Sequence, residues 1–263
     1  MSLLAVILGW AVAVVVNALA DTLPFSRRVQ PPACEGCGAP RSASVWSGLL
    51  ALALGRTACP YCARRRRTRA PFAEAVLAGV AGWLWWRDPR LAAFLPAFVV
   101  ASFYLLIVII DLEHRLILHP VSLSAALVIG LLGALDTSRG LAKTLWGGVA
   151  GFAIFLILYW FGELFARVLT RLRRLPLREV TFGFGDVMFA GVIGLTVGWP
   201  GVVLALFLGI LGAGAFSLVY LLVMLARRRY AAFTPIPYGP FLALGASLVY
   251  FGGGALFQGA LGP

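Results

Sequence analysis

The sequence has little charge for its length. Of its 263 residues, 61% are hydrophobic and only 12% are charged, with a mean hydropathy of +0.94. An ordinary soluble domain has about 25% charged residues, so this composition excludes one and indicates that lipid surrounds most of the chain. The net charge of +12 would suggest nucleic acid in a soluble protein. Here the basic residues flank apolar segments, so we expect membrane lipid and no nucleic acid as a partner.

The apolar segments also lack the alternation of polar and apolar residues that membrane β-strands show, which excludes a barrel and predicts helices. A helix needs about 20 apolar residues to cross the hydrocarbon core. The first segment has no basic residue before it, which argues against a signal peptide and for a retained anchor. We predict an all-α, polytopic transmembrane bundle of about eight spans, at residues 2–21, 71–87, 91–111, 117–135, 143–162, 185–199, 202–226 and 239–259.

Basic residues are distributed unevenly between the segments that join these spans. Of the 22 lysines and arginines, only Arg87, Arg90, Arg139 and Lys143 fall on one side of the membrane. Because cytosolic segments carry the excess of positive charge, that side is expected to be the outer one. Both termini should then lie outside, and the segment 22–70 should lie in the cytosol.

All four cysteines lie in this cytosolic segment, in two Cys-x-x-Cys pairs. Cys34 and Cys37 form the first pair and Cys59 and Cys62 the second, with 21 residues between the pairs. This spacing is typical of paired zinc knuckles, which bring four thiolates into the tetrahedron that Zn²⁺ prefers. Disulfides or inert thiols are the alternatives, and disulfides are rare in the cytosol.

We predict three regions: a first transmembrane helix at 1–21, a zinc-binding cytosolic loop at 22–70, and a transmembrane region at 71–263.

Two aspartates interrupt the apolar pattern at the ends of predicted spans. Asp111 ends the third span, which runs inward, and Asp186 opens the sixth, which runs outward, so both carboxylates are expected at the cytosolic end. Two carboxylates at a partly dehydrated depth share one proton, so one can deprotonate a water while the other protonates a scissile carbonyl. Gly183 and Gly185 lack a Cβ and would allow the backbone to bend and a substrate strand to approach.

The two aspartates are also compatible with structural and transport roles. Asp186 can cap the amino terminus of a helix, and Asp111 can pair with Arg115 at the interface. Carboxylates at membrane depth also occur in proton- or ion-coupled transporters, which form the main competing class of function. The residues alone leave a catalytic pair and these alternatives open.

Four elements in this order and topology resemble the type IV prepilin leader peptidases, a family of membrane aspartyl peptidases with a Gly-x-Gly-Asp motif. They are residues 183–186 (GFGD), the aspartate of 110–117 (IDLEHRLI), the two cysteine pairs, and residues 236–241 (IPYGPF). The resemblance implies that Asp111 and Asp186 are catalytic. It implies that the substrate is the amino-terminal leader of a prepilin or pseudopilin, cut at the cytosolic face of the bacterial inner membrane. Many members also methylate the new amino terminus with S-adenosylmethionine, and the cysteine-bearing region is associated with that activity.

Glu74 can be interpreted in two ways. The family often has an acidic residue after the second cysteine pair, which implies a role in methylation or in supporting the site. The simpler interpretation, which we favour, is an acidic residue in the first turn of a helix that begins at Pro71.

Further polar residues near the spans are expected to have structural roles. Asn17 is expected to join two helices by a hydrogen bond. His114 and His119 could be metal ligands, but a solvated interface accounts for them more simply. Glu163 is expected to pair with Arg167 one helical turn further on.

Overall fold

The structure is a computed structural model that describes residues 1–26, 31–34, 36–136, 139–173, 183–228 and 236–252. Within these residues the chain forms nine α-helices, one turn of 3₁₀-helix at Ala43–Val45 and no β-strand. The helices are α1 (Ser2–Ser26), α2 (Gly48–Ala53), α3 (Arg69–Arg87), α4 (Leu91–His114), α5 (His119–Leu135), α6 (Gly140–Arg173), α7 (Phe184–Val197), α8 (Gly201–Ala226) and α9 (Gly239–Gly252). The prediction of an all-α bundle is confirmed.

Each of the eight predicted spans corresponds to one helix, α1 or one of α3 to α9. By length and composition, α1, α4, α6 and α8 can cross a membrane, and α5, α7 and α9 are shorter apolar helices. Helix α3, which was predicted as a span, is in neither group. The last predicted span was expected to reach residue 259, and the part after 252 lies outside the described residues. The short helix α2 was not predicted.

Helix α6 is longer than its predicted span. It continues to Arg173 rather than ending at residue 162, and at 1.5 Å per residue its 34 residues extend about 51 Å, beyond a hydrocarbon core of about 30 Å. Its last turns mix charged and exposed apolar side chains, with 3.4 Å between the carboxylate of Glu163 and the guanidinium of Arg167. This confirms the predicted ion pair. The charged residues at 163, 167, 171 and 173 interrupt the apolar run, which explains why the predicted span ends before the helix does.

The chain divides into two compact units, Met1–Ile110 and Asp111–Pro263. In the first unit α1 packs along α3. Small residues line this contact, since a Cβ added at Gly9 would lie 2.7 Å from the Cβ of Ala81. The side-chain amide of Asn17 donates to the carbonyl oxygen of Ala70 at 3.0 Å, which confirms that Asn17 joins two helices.

In the second unit α7 is the central helix and contacts α5, α6, α8 and α9. Most of its residues between Val187 and Thr196 are buried. Helix α6 approaches it closely because Gly147 faces Gly194, and neither position has room for a Cβ. The packing on all sides fixes the amino terminus of α7, where Asp186 lies.

Candidate active site

Asp111 lies in the last turn of α4 and is 5% exposed. One carboxylate oxygen accepts a hydrogen bond from the backbone N–H of Gly239, the first residue of α9, at 2.8 Å. Arg115 donates its backbone N–H to the carbonyl oxygen of Asp111. The alternative pairing with the Arg115 side chain is not formed, and within the described residues the Asp111 carboxylate has one hydrogen-bond donor, the Gly239 amide.

Asp186 is the third residue of α7 and is half-buried. Its carboxylate accepts a hydrogen bond from the backbone N–H of Gly183 at 3.1 Å, which is the arrangement of an N-terminal cap. The capping role is therefore confirmed, and the same bond orients the side chain. Asp111 and Asp186 belong to the same unit and lie within range of a direct electrostatic interaction.

The two glycines of the Gly-Phe-Gly-Asp segment differ in their surroundings. Gly183 has an extended backbone, with φ −81° and ψ 149°, which other residues also adopt. A Cβ added at Gly185 would lie 2.8 Å from the carbonyl oxygen of Ile117. Gly185 therefore allows α7 to approach the segment after α4, and the approach of a substrate strand stays a prediction.

An aromatic cluster surrounds Phe184, whose side chain is 42% exposed. The ring of His119 stacks on it with 5.8 Å between centroids, and Phe152 and Tyr159 meet it edge-on at 6.3 and 6.2 Å. Among the described residues neither His119 nor His114 belongs to a group of side chains that could hold a metal ion. His119 thus contributes an aromatic surface next to Phe184, in the first turn of α7.

Two residues of the segment 236–241 take part in the site, although no role for them followed from the sequence. The Gly239 amide contacts Asp111, and a Cβ added at Gly239 would lie 2.7 Å from the carboxylate oxygen. Tyr238 is half-buried and lies within electrostatic range of Asp186. The motif at 236–241 marked this segment in the sequence. It does not show which residues, so distant along the chain, the segment contacts.

The four cysteines of the first unit form one cluster, with all Sγ atoms within 4.8 Å of one another. The Sγ atoms of Cys34 and Cys62 are 3.6 Å apart and those of Cys37 and Cys59 are 3.7 Å apart. These distances exclude the disulfide alternative, because bonded sulfurs lie about 2.05 Å apart, and all four thiols are free. Backbone N–H groups of Gly36 and Cys37 lower the pKa of the Cys34 thiol to about 6, which favours the thiolate that metals bind. The cluster is a possible metal site.

Glu74 is fully buried and is the sixth residue of α3, because the helix begins at Arg69. The prediction that it lies in the first turn is therefore wrong. Its carboxylate accepts hydrogen bonds from the Ser47 hydroxyl, from the backbone N–H groups of Gly48 and Leu49 at 2.6 and 3.0 Å, and from the Asn17 amide at 3.4 Å. Glu74 thus attaches the amino terminus of α2 to helices α1 and α3.

Asp111 and Asp186 both lie within residues 98–218, which match the sequence profile of the type IV leader peptidase family. Leader peptidase HopD of Salmonella typhimurium is 31% identical over 147 residues, which cover 55% of this chain and 84% of that protein. The chain belongs to the type IV leader peptidase family. Together with its apolar helices, this membership makes it a multi-pass protein of the bacterial inner membrane.

Other members of the leader peptidase family match more of the chain. A prepilin leader peptidase/N-methyltransferase of Aeromonas hydrophila is 26% identical over 85% of this chain and 72% of that protein. One from Burkholderia pseudomallei strain K96243 is 27% identical over 94% of this chain and 84% of that protein. No solved structure matches the chain. These relatives are named as peptidases, so they give no support to the competing transporter hypothesis.

Proposed function

We propose that this leader peptidase family member is a membrane aspartyl endopeptidase that removes the amino-terminal leader of type IV prepilins or pseudopilins. The observation that carries the proposal is the placement of Asp111 and Asp186 at two helix ends of one unit, within electrostatic range of each other. The family profile, which spans both aspartates, supports the same activity. The names of the relatives support prepilins as the substrate class.

The proposed mechanism uses the two carboxylates as a general base and a general acid. One carboxylate is ionised and takes a proton from a water, while the other is protonated and donates to the carbonyl oxygen of the scissile peptide. The amides of Gly239 and Gly183 each hold one carboxylate by a single hydrogen bond. Because a carboxylate has about four acceptor sites, each side chain keeps free oxygens for the water and the substrate.

The cut is proposed to lie at the cytosolic face of the membrane. Asp111 is in the last turn of one apolar helix and Asp186 is in the first turn of another. Two such helices that run in opposite directions place these ends on one side. The excess of basic residues in the segments on that side supports a cytosolic location, with both termini outside.

The test is cleavage of a purified prepilin by full-length protein in lipid vesicles, followed by mass spectrometry. Asp111→Asn and Asp186→Asn should each lower the cleavage rate by about 10³-fold or more, since each removes one group that exchanges protons with the reacting atoms. Both variants should still insert and accumulate.

The matched control is Asp88→Asn, which changes an aspartate paired with Arg90 outside the proposed site. It should cleave at the wild-type rate. Retained cleavage in Asp111→Asn or Asp186→Asn would contradict the proposal.

We also propose that the four cysteines bind a structural Zn²⁺. A Zn–S bond of about 2.3 Å places the sulfurs of a tetrahedral site about 3.8 Å apart, close to the 3.6 and 3.7 Å between the paired Sγ atoms. Four thiolates leave no open position, so the ion would fold the loop rather than take part in hydrolysis.

Metal analysis of the purified protein tests this assignment. We expect stoichiometric zinc in the wild type and its loss in the double variant Cys34→Ser, Cys37→Ser. A wild-type protein without zinc, whose loop shows the same protease sensitivity with and without a chelator, would contradict it.

A second proposed activity is methylation of the new amino terminus with S-adenosylmethionine. The match to the Burkholderia prepilin leader peptidase/N-methyltransferase covers 94% of the chain, so it includes the cysteine-bearing region. The experiment supplies already cleaved pilin together with S-adenosylmethionine to the Asp186→Asn variant. A gain of one methyl mass is expected, and an unchanged mass for both this variant and the wild type would reject the activity.

A further inference from the structure

The short helix α2 lies against the two long helices of the first unit. The indole N–H of Trp10 in α1 donates to the hydroxyl of Ser47, the residue before α2, at 3.1 Å. Gly48 touches α3 so closely that a Cβ there would lie 2.5 Å from the backbone nitrogen of Pro71. Helix α2 is therefore packed against the helical pair rather than projecting from it.

An ion pair provides a reference for the depth of these contacts. Asp21 near the end of α1 pairs with Arg69 at the start of α3, which marks the polar end of this helix pair. Glu74 is five residues further along α3, or about 8 Å at 1.5 Å per residue, and Trp10 is eleven residues back along α1, or about 16 Å. The start of α2 contacts both residues, so it lies on the apolar side of the ion pair.

The backbone at the start of α2 is hydrogen-bonded as a membrane interior requires. The Gly48 and Leu49 amides donate to Glu74. The guanidinium of Arg66 donates to the carbonyl oxygens of Val45 and Trp46 at 2.8 and 2.9 Å. In lipid, non-helical backbone is tolerated only where protein groups replace water as partners, and these side chains do so.

The opposite side of this segment is apolar and exposed. Trp46, Leu50, Leu52 and Leu54 are 40%, 41%, 59% and 54% exposed, and residues 43–55 contain no charge. Positive charge follows two residues after Leu54, where Arg56 is exposed. An apolar face bounded by arginine at the polar end of the α1 and α3 pair matches lipid acyl chains on one side and anionic headgroups on the other.

We propose that residues 43–54, the α2 insert, are embedded in the cytosolic leaflet and contact lipid acyl chains through Trp46, Leu50, Leu52 and Leu54. The insert divides the segment 22–70, expected as a soluble loop, into membrane-embedded and cytosolic parts. It also holds the cysteine cluster next to the membrane surface. The proposal depends on membrane insertion and not on the peptidase activity.

Photocrosslinking in the full chain tests this. Benzoylphenylalanine is introduced at Leu52 or at Leu54, and at Tyr61 as a matched control that is 77% exposed but lies outside the insert. Each protein is reconstituted in vesicles of phosphatidylethanolamine and phosphatidylglycerol, irradiated and analysed by mass spectrometry. Acyl-chain adducts should be several times more abundant at positions 52 and 54 than at 61.

Two labelled positions keep the test valid if one of them disturbs folding. Equal lipid adducts at all three positions would overturn the proposal. Adducts to a second copy of the protein, or no lipid adduct at either leucine, would also overturn it.

Discussion

Glu74 in the first unit and Asp111 in the second are both buried carboxylates held by backbone amides, but they differ in how many donors they have. Glu74 accepts four hydrogen bonds, whereas Asp111 accepts one. A carboxylate has about four acceptor sites, so Glu74 is saturated and Asp111 is not. Burial alone therefore does not identify a catalytic carboxylate. Unused acceptor sites distinguish the group available for proton transfer from the one that supports the fold.

The same difference separates Glu74 from Asp186, which accepts one backbone N–H and remains half-buried. A role of Glu74 in methylation is untested, but its saturated carboxylate has no free oxygen to offer a ligand. Its partners instead indicate that it supports α2 and the cysteine-bearing region. We therefore expect substitutions that disturb Asp111 or Asp186 to lower kcat more than stability, and substitutions around Glu74 to lower stability more than kcat.

Apart from substitution of the two aspartates themselves, the largest effect is expected for Gly239→Ala. The added Cβ would lie 2.7 Å from the Asp111 carboxylate oxygen, and the movable carboxylate is the group that must shift. A displacement of about 1 Å from productive geometry lowers rates by about 10²-fold, so kcat should fall by that factor with KM and thermal stability unchanged. Steady-state kinetics on a prepilin peptide measure both constants.

Gly214→Ala in α8 is the control for this variant, since a Cβ there meets nothing within 4 Å. It should retain the wild-type kcat. If Gly239→Ala instead raised KM alone, Gly239 would bind substrate rather than position Asp111.

The next effect in size is expected for Glu74→Gln. Glutamine keeps one acceptor oxygen and places an NH₂ group against donors of the α2 backbone, so at least one buried donor loses its partner. This should lower the free energy of unfolding by about 1–3 kcal/mol. This loss of stability is measured by thermal unfolding, with the protease sensitivity of the cysteine-bearing region as the readout for the first unit. A fall in kcat without any loss of stability would show that Glu74 acts in chemistry.

The sequence predicts those parts of this structure that depend on local composition. Apolar runs located the eight long helices, and counting them placed Asp111 and Asp186 at corresponding helix ends. Helix α2 escaped prediction because it has only six residues. Its N-cap Ser47 is local, but the amides of Gly48 and Leu49 donate to Glu74, 26 residues from Gly48. The contact between Gly239 and Asp111 joins residues 128 positions apart, and nothing local to either specifies it.

The smallest effect is expected for Glu163→Gln, which serves as the comparison for Glu74→Gln. Glu163 is also a glutamate on a long helix, but its partner Arg167 is 74% exposed, so water can replace either group. Pairs of this kind contribute about 0.3–0.5 kcal/mol, and the substitution should change the free energy of unfolding by no more than that. The same thermal measurement compares the two variants directly. Equal destabilisation by Glu163→Gln and Glu74→Gln would mean that the loss of a negative charge, rather than the loss of acceptors for buried donors, explains the effect at Glu74.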